Sequence, residues 1–497
     1  MRLVRRREQL QIHVLGLTLA VCGVGVAVSA VVGWLRDGRD FVPLFLTGVG
    51  AIVIGAACER LTLVPAKISL LDVFTTVTGS WLTMAAVGGV PYIVTGTLTQ
   101  IDLALFEAVS GFTTTGATVL RPIEGTSAGV LFWRSITQWL GGMGVIVLVV
   151  AVLPMVGSGG MNLLSAEAPG PTGERLTPRV TQTARHLWAV YLGFTVVLAG
   201  AYALAGMDAY DAVAHSFTTV STGGFSPYNA SLAHFDSALI EWIAIVSMFL
   251  AGTSFTLMYR ALRGRPGALL YSVELRLYVT VVAVATMAVY LSAGIGADAE
   301  AFRDSLFAVL TIVSTTGFAS ADFALWGDAA QAVILILLPL GAMAGSTAGG
   351  VKMVRVLAVA SFAHRETLRH LHPRLVRPIR VGDAVLGDEV ASKVLGFLVL
   401  ALATFGGGAI FISLTGSDLI SSFSASATLF GNVGPGLGDV GPTADFLNLH
   451  RYARIMGIGS MLLGRLEIYP ILLALVAIPR PVPRRMLARV AARRSSE

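Results

Sequence analysis

Apolar residues in this chain gather in long runs, at 14–35, 42–57, 131–153, 187–205, 239–258, 277–293, 333–343, 394–414 and 455–478. Most approach the ~20 residues that carry a helix across a hydrocarbon core. Inside lipid every backbone N–H and C=O needs an internal partner, so such runs form helices. The pattern predicts an all-α polytopic membrane protein.

Between the runs lie four shorter segments, rich in Ser, Thr and Phe, each closed by a short tripeptide and a glycine. Residues 102–112 lead to Thr113-Thr114-Thr115-Gly116, and 208–219 to Val220-Ser221-Thr222-Gly223. Residues 301–313 lead to Ser314-Thr315-Thr316-Gly317, and 417–430 to Gly431-Asn432-Val433-Gly434. The four glycines are separated by 107, 94 and 117 residues, with a spanning run before and after each segment. That is an internal repeat. Each unit reads as outer helix, short re-entrant helix, extended strand and inner helix, with the four units around a central pore and an extra transmembrane hairpin in front. The divisions fall at 1–66 (hairpin), 67–160, 161–262, 263–362 and 363–480 (four units, the second and fourth with cytoplasmic linkers), and 481–497 (basic tail).

This design suits a cation path. Asp102, Asp208 and Ser417 stand where helix N-caps belong, so the short helices begin at the outer surface. Their C-terminal ends, partially negative, then point toward mid-membrane. The extended Ser/Thr/Gly stretches offer carbonyl oxygens that replace an ion's hydration shell. One such segment alone would be an ordinary capped loop; four in register are not.

Composition agrees with the membrane reading: 55% of the 497 residues are hydrophobic and 13% charged, with mean hydropathy +0.76. Soluble domains carry roughly 25% charged residues. The net charge of +6 is concentrated near the amino end (Arg2, Arg5, Arg6, Arg7), at 260–265, 364–380 and 480–494. These stretches mark the cytoplasmic side. None interleaves with stacking aromatics, so no nucleic-acid partner is expected. Val28-Ser29-Ala30 could end a signal peptide, but the apolar run continues past it. Cys22 and Cys58 sit in apolar surroundings, and neither a disulfide nor a metal site is expected of them.

The chain resembles the Trk/Ktr/HKT superfamily of cation transporters. The residues that carry the resemblance are Ser110-Gly111-Phe112-Thr113-Thr114-Thr115-Gly116-Ala117, Trp133-Arg134-Ser135-Ile136-Thr137-Gln138-Trp139-Leu140-Gly141-Gly142-Met143-Gly144, Ala166-Glu167-Ala168-Pro169-Gly170-Pro171 and Ser221-Thr222-Gly223-Gly224-Phe225-Ser226. Gly345-Ser346-Thr347-Ala348-Gly349-Gly350-Val351-Lys352, Asn432-Val433-Gly434-Pro435-Gly436-Leu437-Gly438 and Gly464-Arg465-Leu466-Glu467 complete it. The extra hairpin is similar to that of the TrkH branch. The resemblance implies one pore per chain, a homodimer in the lipid bilayer of the bacterial cytoplasmic membrane, and gating by a nucleotide-binding cytoplasmic ring of the TrkA type. It also implies potassium as the transported ion. Sodium-selective members replace the first filter glycine with serine, whereas Gly116, Gly223, Gly317 and Gly434 are all glycine. Asn432 and Val433 replace hydroxyl residues in the fourth segment, so a true fourfold site is not expected.

Residues 341–350 are too glycine-rich to continue a helix comfortably. They read either as a broken helix lining a cavity or as a close packing face. The resemblance implies a gate beneath the filter, with Gly345, Ser346, Thr347, Gly349 and Gly350 in it. An intramembrane arginine is a functional candidate by default. For Arg465 the resemblance implies a place facing the pore below the filter; the alternative is a structural ion pair. Lys352 acts similarly or anchors the cytoplasmic side.

No enzyme is expected, because no H-E-x-x-H set occurs and no Ser, His and acid are grouped as a hydrolase needs. Residues 436–441 match G-x-G-x-x-G but lack a βαβ context, and 345–352 lack the ending of a phosphate loop. His364, His370 and His372 fall in a basic segment expected to be solvated. A sodium-permeable or ion-coupled symporter of the same fold remains the alternative.

Overall fold

The computed structural model describes residues 2–62, 70–152, 180–382 and 384–476. The motif at 166–171, the unit boundaries at 66 and 160, and the basic tail at 481–497 lie outside the described residues. The chain opens with two apolar helices, α1 (Arg2–Arg36) and α2 (Phe41–Arg60), packed as a hairpin. A Cβ on Gly23 would press on the Gly48 carbonyl, and one on Gly55 on the Gly16 carbonyl. Small residues there let the two backbones approach closely, the contact that drives helix association in lipid.

Four units follow. The first is α3 (Leu70–Val94), α4 (Ile101–Phe112) and α5 (Ala128–Val152). The second is α6 (Val180–Leu204), α7 (Ala209–Val220), α8 (Ala238–Ala251) and α9 (Phe255–Leu262). A short turn, α10 (Gly267–Tyr271), leads to α11 (Val273–Ser292), α12 (Ala299–Val313) and α13 (Asp328–Leu337). Beyond α14 (Met353–Leu371), an antiparallel hairpin of β1 (Ile379–Val381) and β2 (Ala384–Leu386) precedes the fourth unit. That unit is α15 (Asp388–Leu414), α16 (Leu419–Gly431), α17 (Arg451–Arg465) and α18 (Tyr469–Val476). Among the described residues, six helices are long and apolar enough to cross a membrane, or up to eight if each bent pair is one span. The chain is a multi-pass helical membrane protein.

Three features depart from the run pattern. Helix α3 spans without having registered as a run, because Asp72, Thr75, Thr76, Thr78, Ser80 and Thr83 interrupt its apolar residues. Two runs that read as continuous are broken: α8 and α9 meet at 101°, α17 and α18 at 108°. At the second break Glu467 and Ile468 take φ of 58° and 62°, a left-handed conformation that a β-branched side chain opposes. The basic segment at 364–380 is also not simply solvated. Helix α14 runs through its first half and buries Val354 and Ala358 against β1, β2 and the start of α15. Arg365 is buried with it, bonded to Asp388 at 2.6 Å and Glu366 at 2.9 Å. His364, His370 and His372 stay exposed.

Candidate functional site

The short helices α7, α12 and α16 are capped by aspartates. Asp208 accepts from Asp211 N, Asp298 from Ala301 N and Asp418 from Ser421 N. The fourth cap is thus Asp418, one residue beyond the Ser417 read from sequence. Helix α4 differs: its cap position is Gln100, and Asp102 lies in the first turn, 3.5 Å from Arg451 and 3.6 Å from Arg454.

All four helices end in one hydrogen-bond pattern, in which an N–H reaches back five residues. Thr115 N donates to Ser110 O, Gly223 N to Thr218 O and Thr316 N to Thr311 O, each at 2.8 Å, and Val433 N to Thr428 O at 3.0 Å. Such a closure needs a left-handed residue. Thr114, Thr222, Thr315 and Asn432 supply it, with φ between 51° and 58°. Glycine or asparagine suits that position; threonine is strained there, at a cost of about 1–3 kcal/mol each. Two residues later Gly116, Gly224, Gly317 and Gly434 again take positive φ.

This register corrects the second segment by one residue. Its counterparts to 113–116, 314–317 and 431–434 are Ser221, Thr222, Gly223 and Gly224, because α7 runs through Val220 before it closes. Val220 is a core residue of the last helical turn. Sequence alone misplaced the match because two adjacent glycines fit the pattern equally well.

The four glycines meet in a cycle. A Cβ on Gly116 would overlap the Gly223 carbonyl oxygen, one on Gly224 the Thr316 oxygen, one on Gly317 the Val433 oxygen and one on Gly434 the Thr115 oxygen. Each segment therefore lays a carbonyl against the glycine of its neighbour, and only glycine fits. In this cycle the residues that supply the carbonyls (Thr115, Gly223, Thr316 and Val433) are buried, while Gly116, Gly224 and Gly317 are half-buried. On one side it opens into a cavity of about 230 Å³, lined among others by all four glycines, Arg121, Tyr228 and Asp445. Arg121 and Asp445 form an ion pair at its wall.

Hydroxyl groups behind the carbonyls are held in chains. Asn432 Nδ2 donates to Thr115 Oγ1 (2.9 Å), which lies 2.7 Å from Thr113 Oγ1, which donates to Val109 O (2.6 Å). Ser314 and Thr316 pair at 2.7 Å.

On the opposite side lies the glycine-rich stretch, which has left helix by Leu340. Gly341 N donates to Val351 O and Val351 N to Pro339 O, closing it into a loop. Its tip touches the ends of two short helices next to the cycle: Gly349 N donates to Thr315 Oγ1 (2.7 Å) and Thr347 Oγ1 to Val220 O (3.0 Å). Arg465, the last residue of α17, donates to Thr347 O (2.7 Å) and, at 3.4 Å, to Gly141 O. Lys352 folds back onto Ala348 O. Ser346 Oγ donates to Met343 O (2.5 Å). Glu467 takes no part with Arg465; it pairs with Arg355 at 2.6 Å.

Residues 45–482 match the family TrkH, described as cation transport protein. The chain belongs to that family. It is 36% identical over 477 residues to the Trk system potassium uptake protein TrkH of Vibrio parahaemolyticus, covering 93% of this chain and 97% of that one. The same-named protein of Escherichia coli K12 is 36% identical over 400 residues, 79% of this chain and 82% of the relative. The crystal structure of the potassium transporter TrkH from Vibrio parahaemolyticus superposes with a TM-score of 0.85 at 34% identity, covering 95% of this chain and 98% of that one.

In this TrkH-family chain the sequence pointed to the segments themselves but not to what holds them. Glu107 on α4 and Arg134 on α5 form an ion pair at 2.8 Å with 0% and 1% exposure. Arg134 also donates to Ser226 O (3.1 Å) and Thr118 Oγ1 (3.2 Å), and its guanidinium lies 4.0 Å from the Phe225 ring centre. The Glu107 carboxylate accepts from Thr118 Oγ1 and Val119 N. Arg134 thus ties the first segment to the second. The signal was available, since Arg134 lies in an apolar run just as Arg465 does. Glu274 on α11 was missed as well: one carboxylate oxygen accepts from both Ala344 N (2.8 Å) and Val354 N (3.0 Å), pinning the two feet of the glycine loop.

Proposed function

We propose that this chain takes up potassium across the cytoplasmic membrane through one gated, channel-like pore, with residues 113–116, 221–224, 314–317 and 431–434 as its selectivity filter. The observation that carries the reading is the closed cycle of carbonyls against glycines. It collects neutral backbone oxygens at the C-terminal ends of four short helices, where aligned peptide dipoles favour positive charge. Neutral oxygens suit a weakly hydrated monovalent cation, and the relatives' names specify potassium.

In the same proposal the loop at 341–350 is the gate. Its tip reaches the filter through Gly349 and the last turn of α7 through Thr347, and Arg465 holds it there while placing a fixed positive charge beneath the filter. Lys352 braces the loop from within. Gly345 accepts from Phe255 N at 3.0 Å, which ties the loop to the break between α8 and α9. The hairpin, the four units and the basic tail make up one protomer of a homodimer, gated by a cytoplasmic nucleotide-binding ring of the TrkA type.

One observation favours looser selectivity and keeps a sodium-permeable or ion-coupled variant as the second reading. Asn432 takes its side chain across to the first segment, and Val433 offers no hydroxyl, so the fourth quadrant is chemically unlike the others. Tracer fluxes of potassium and sodium through the purified protein in proteoliposomes separate the two. A clear preference for potassium supports the proposal, and equal permeability rejects it.

A further inference from the structure

The second segment differs from the other three at one position. After the left-handed residue they carry Thr115, Thr316 and Val433, whereas it carries Gly223. Gly223 is not among the glycines with positive φ, so its backbone does not demand glycine. Its neighbour does. A Cβ there would overlap the side chain of Gln138, reaching its Cδ, its Oε1 and its Cγ.

Gln138 is fully buried on α5. Its Nε2 donates to Gly223 O at 2.6 Å, and its Oε1 accepts from Phe225 N at 3.0 Å. The two bonds together fix which end of the amide faces which group. Thr115 O, Thr316 O and Val433 O, the counterparts of Gly223 O in the cycle, accept no hydrogen bond among the described residues. One helical turn earlier on the same face, Arg134 holds Ser226 O. Helix α5 thus grips the second segment on both sides of Gly224.

We infer that Gln138 is a positioning residue that sets ion specificity, and that Gly223 is glycine in order to admit it. The inference rests on the filter reading above. A carbonyl already accepting an N–H has part of its lone-pair density committed and cannot swing inward to follow a smaller ion. The second quadrant is therefore the rigid one, and it opposes collapse of the ring around sodium.

The test uses the full-length protein in proteoliposomes, reading the sodium-to-potassium permeability ratio and the potassium concentration for half-maximal flux. Gln138→Met keeps the length but removes donor and acceptor; loss of one hydrogen bond of about 1–1.5 kcal/mol corresponds to a rise in the ratio of about five- to tenfold. Gln138→Glu, which sets a carboxylate against the carbonyl, raises it further. Gly223→Ala alone abolishes uptake, and the double variant Gly223→Ala/Gln138→Ala restores part of it, scored also as uptake by whole cells so that purification is not required. Wild-type values in Gln138→Met, or a double variant no better than Gly223→Ala, overturn the inference while leaving the filter reading intact. A wild-type protein without preference for potassium overturns the filter reading itself, and the inference with it.

Discussion

Replacing Glu107 with glutamine changes one heavy atom, removes a buried charge and breaks at least one of three hydrogen bonds. The carboxylate receives donors from Arg134 Nε (2.8 Å), Thr118 Oγ1 (3.0 Å) and Val119 N (2.9 Å), on both of its oxygens. A glutamine has one acceptor, so its NH2 must face either the guanidinium or the Val119 amide. Either way the Arg134 charge, 1% exposed, is left without a counter-charge. Removing one partner of a buried ion pair costs about 3–5 kcal/mol. Replacing both, as in Glu107→Leu/Arg134→Met, removes the uncompensated charge and costs less than the two single changes added together. The effect has two readouts. Equilibrium unfolding in mixed micelles gives the stability of each single variant and of the double, and potassium flux reports whether the first and second segments still meet. Single variants within about 1 kcal/mol of wild type, or a double variant whose loss equals the sum of the two, would refute the reasoning.

Gly116→Ser places a Cβ against the Gly223 carbonyl in a residue with φ of 79°, so the ring must open on that side; sodium tracer flux relative to potassium rises, and an unchanged ratio counts against the filter. Arg465→Gln loses a charge-assisted bond to Thr347 O; at about 1.5–3 kcal/mol the loop is released more often, and unstimulated potassium flux through the protein alone rises about 10- to 100-fold. No rise in flux there would remove Arg465 from the gate. Asp298→Ala deletes the cap on Ala301 N and lowers stability by about 1 kcal/mol, read as a shifted unfolding midpoint with the permeability ratio unchanged.

Most spans and the four short helices with their glycine-closed ends were legible because each leaves a local signature: an apolar run, or a hydroxyl-rich stretch closed by glycine. What escaped is what depends on partners distant in sequence. The match of Gly224 rather than Gly223 to Gly116 follows from where α7 closes its last turn, and the sequence Thr222-Gly223-Gly224 admits both. The caps misplaced at Asp102 and Ser417 are one- or two-residue shifts of the kind that local pattern cannot resolve. The breaks after Ala251 and Arg465 lie inside apolar runs, and hydrophobicity is blind to a bend. Helix α3, the outer helix expected of the first unit, left no apolar run because it carries polar residues, among them Thr76, which is buried in the fold. The Glu107–Arg134 pair joins two elements whose adjacency only the fold provides.

The central claim is that Thr115 O, Gly223 O, Thr316 O and Val433 O surround a permeating ion. Crystals grown with rubidium or thallium in place of potassium test it through anomalous scattering. The account predicts a peak on the axis of the ring, coordinated by carbonyls of all four segments and absent in Gly116→Ser. An ordered structure whose anomalous peaks lie elsewhere, with the ring empty, would contradict it.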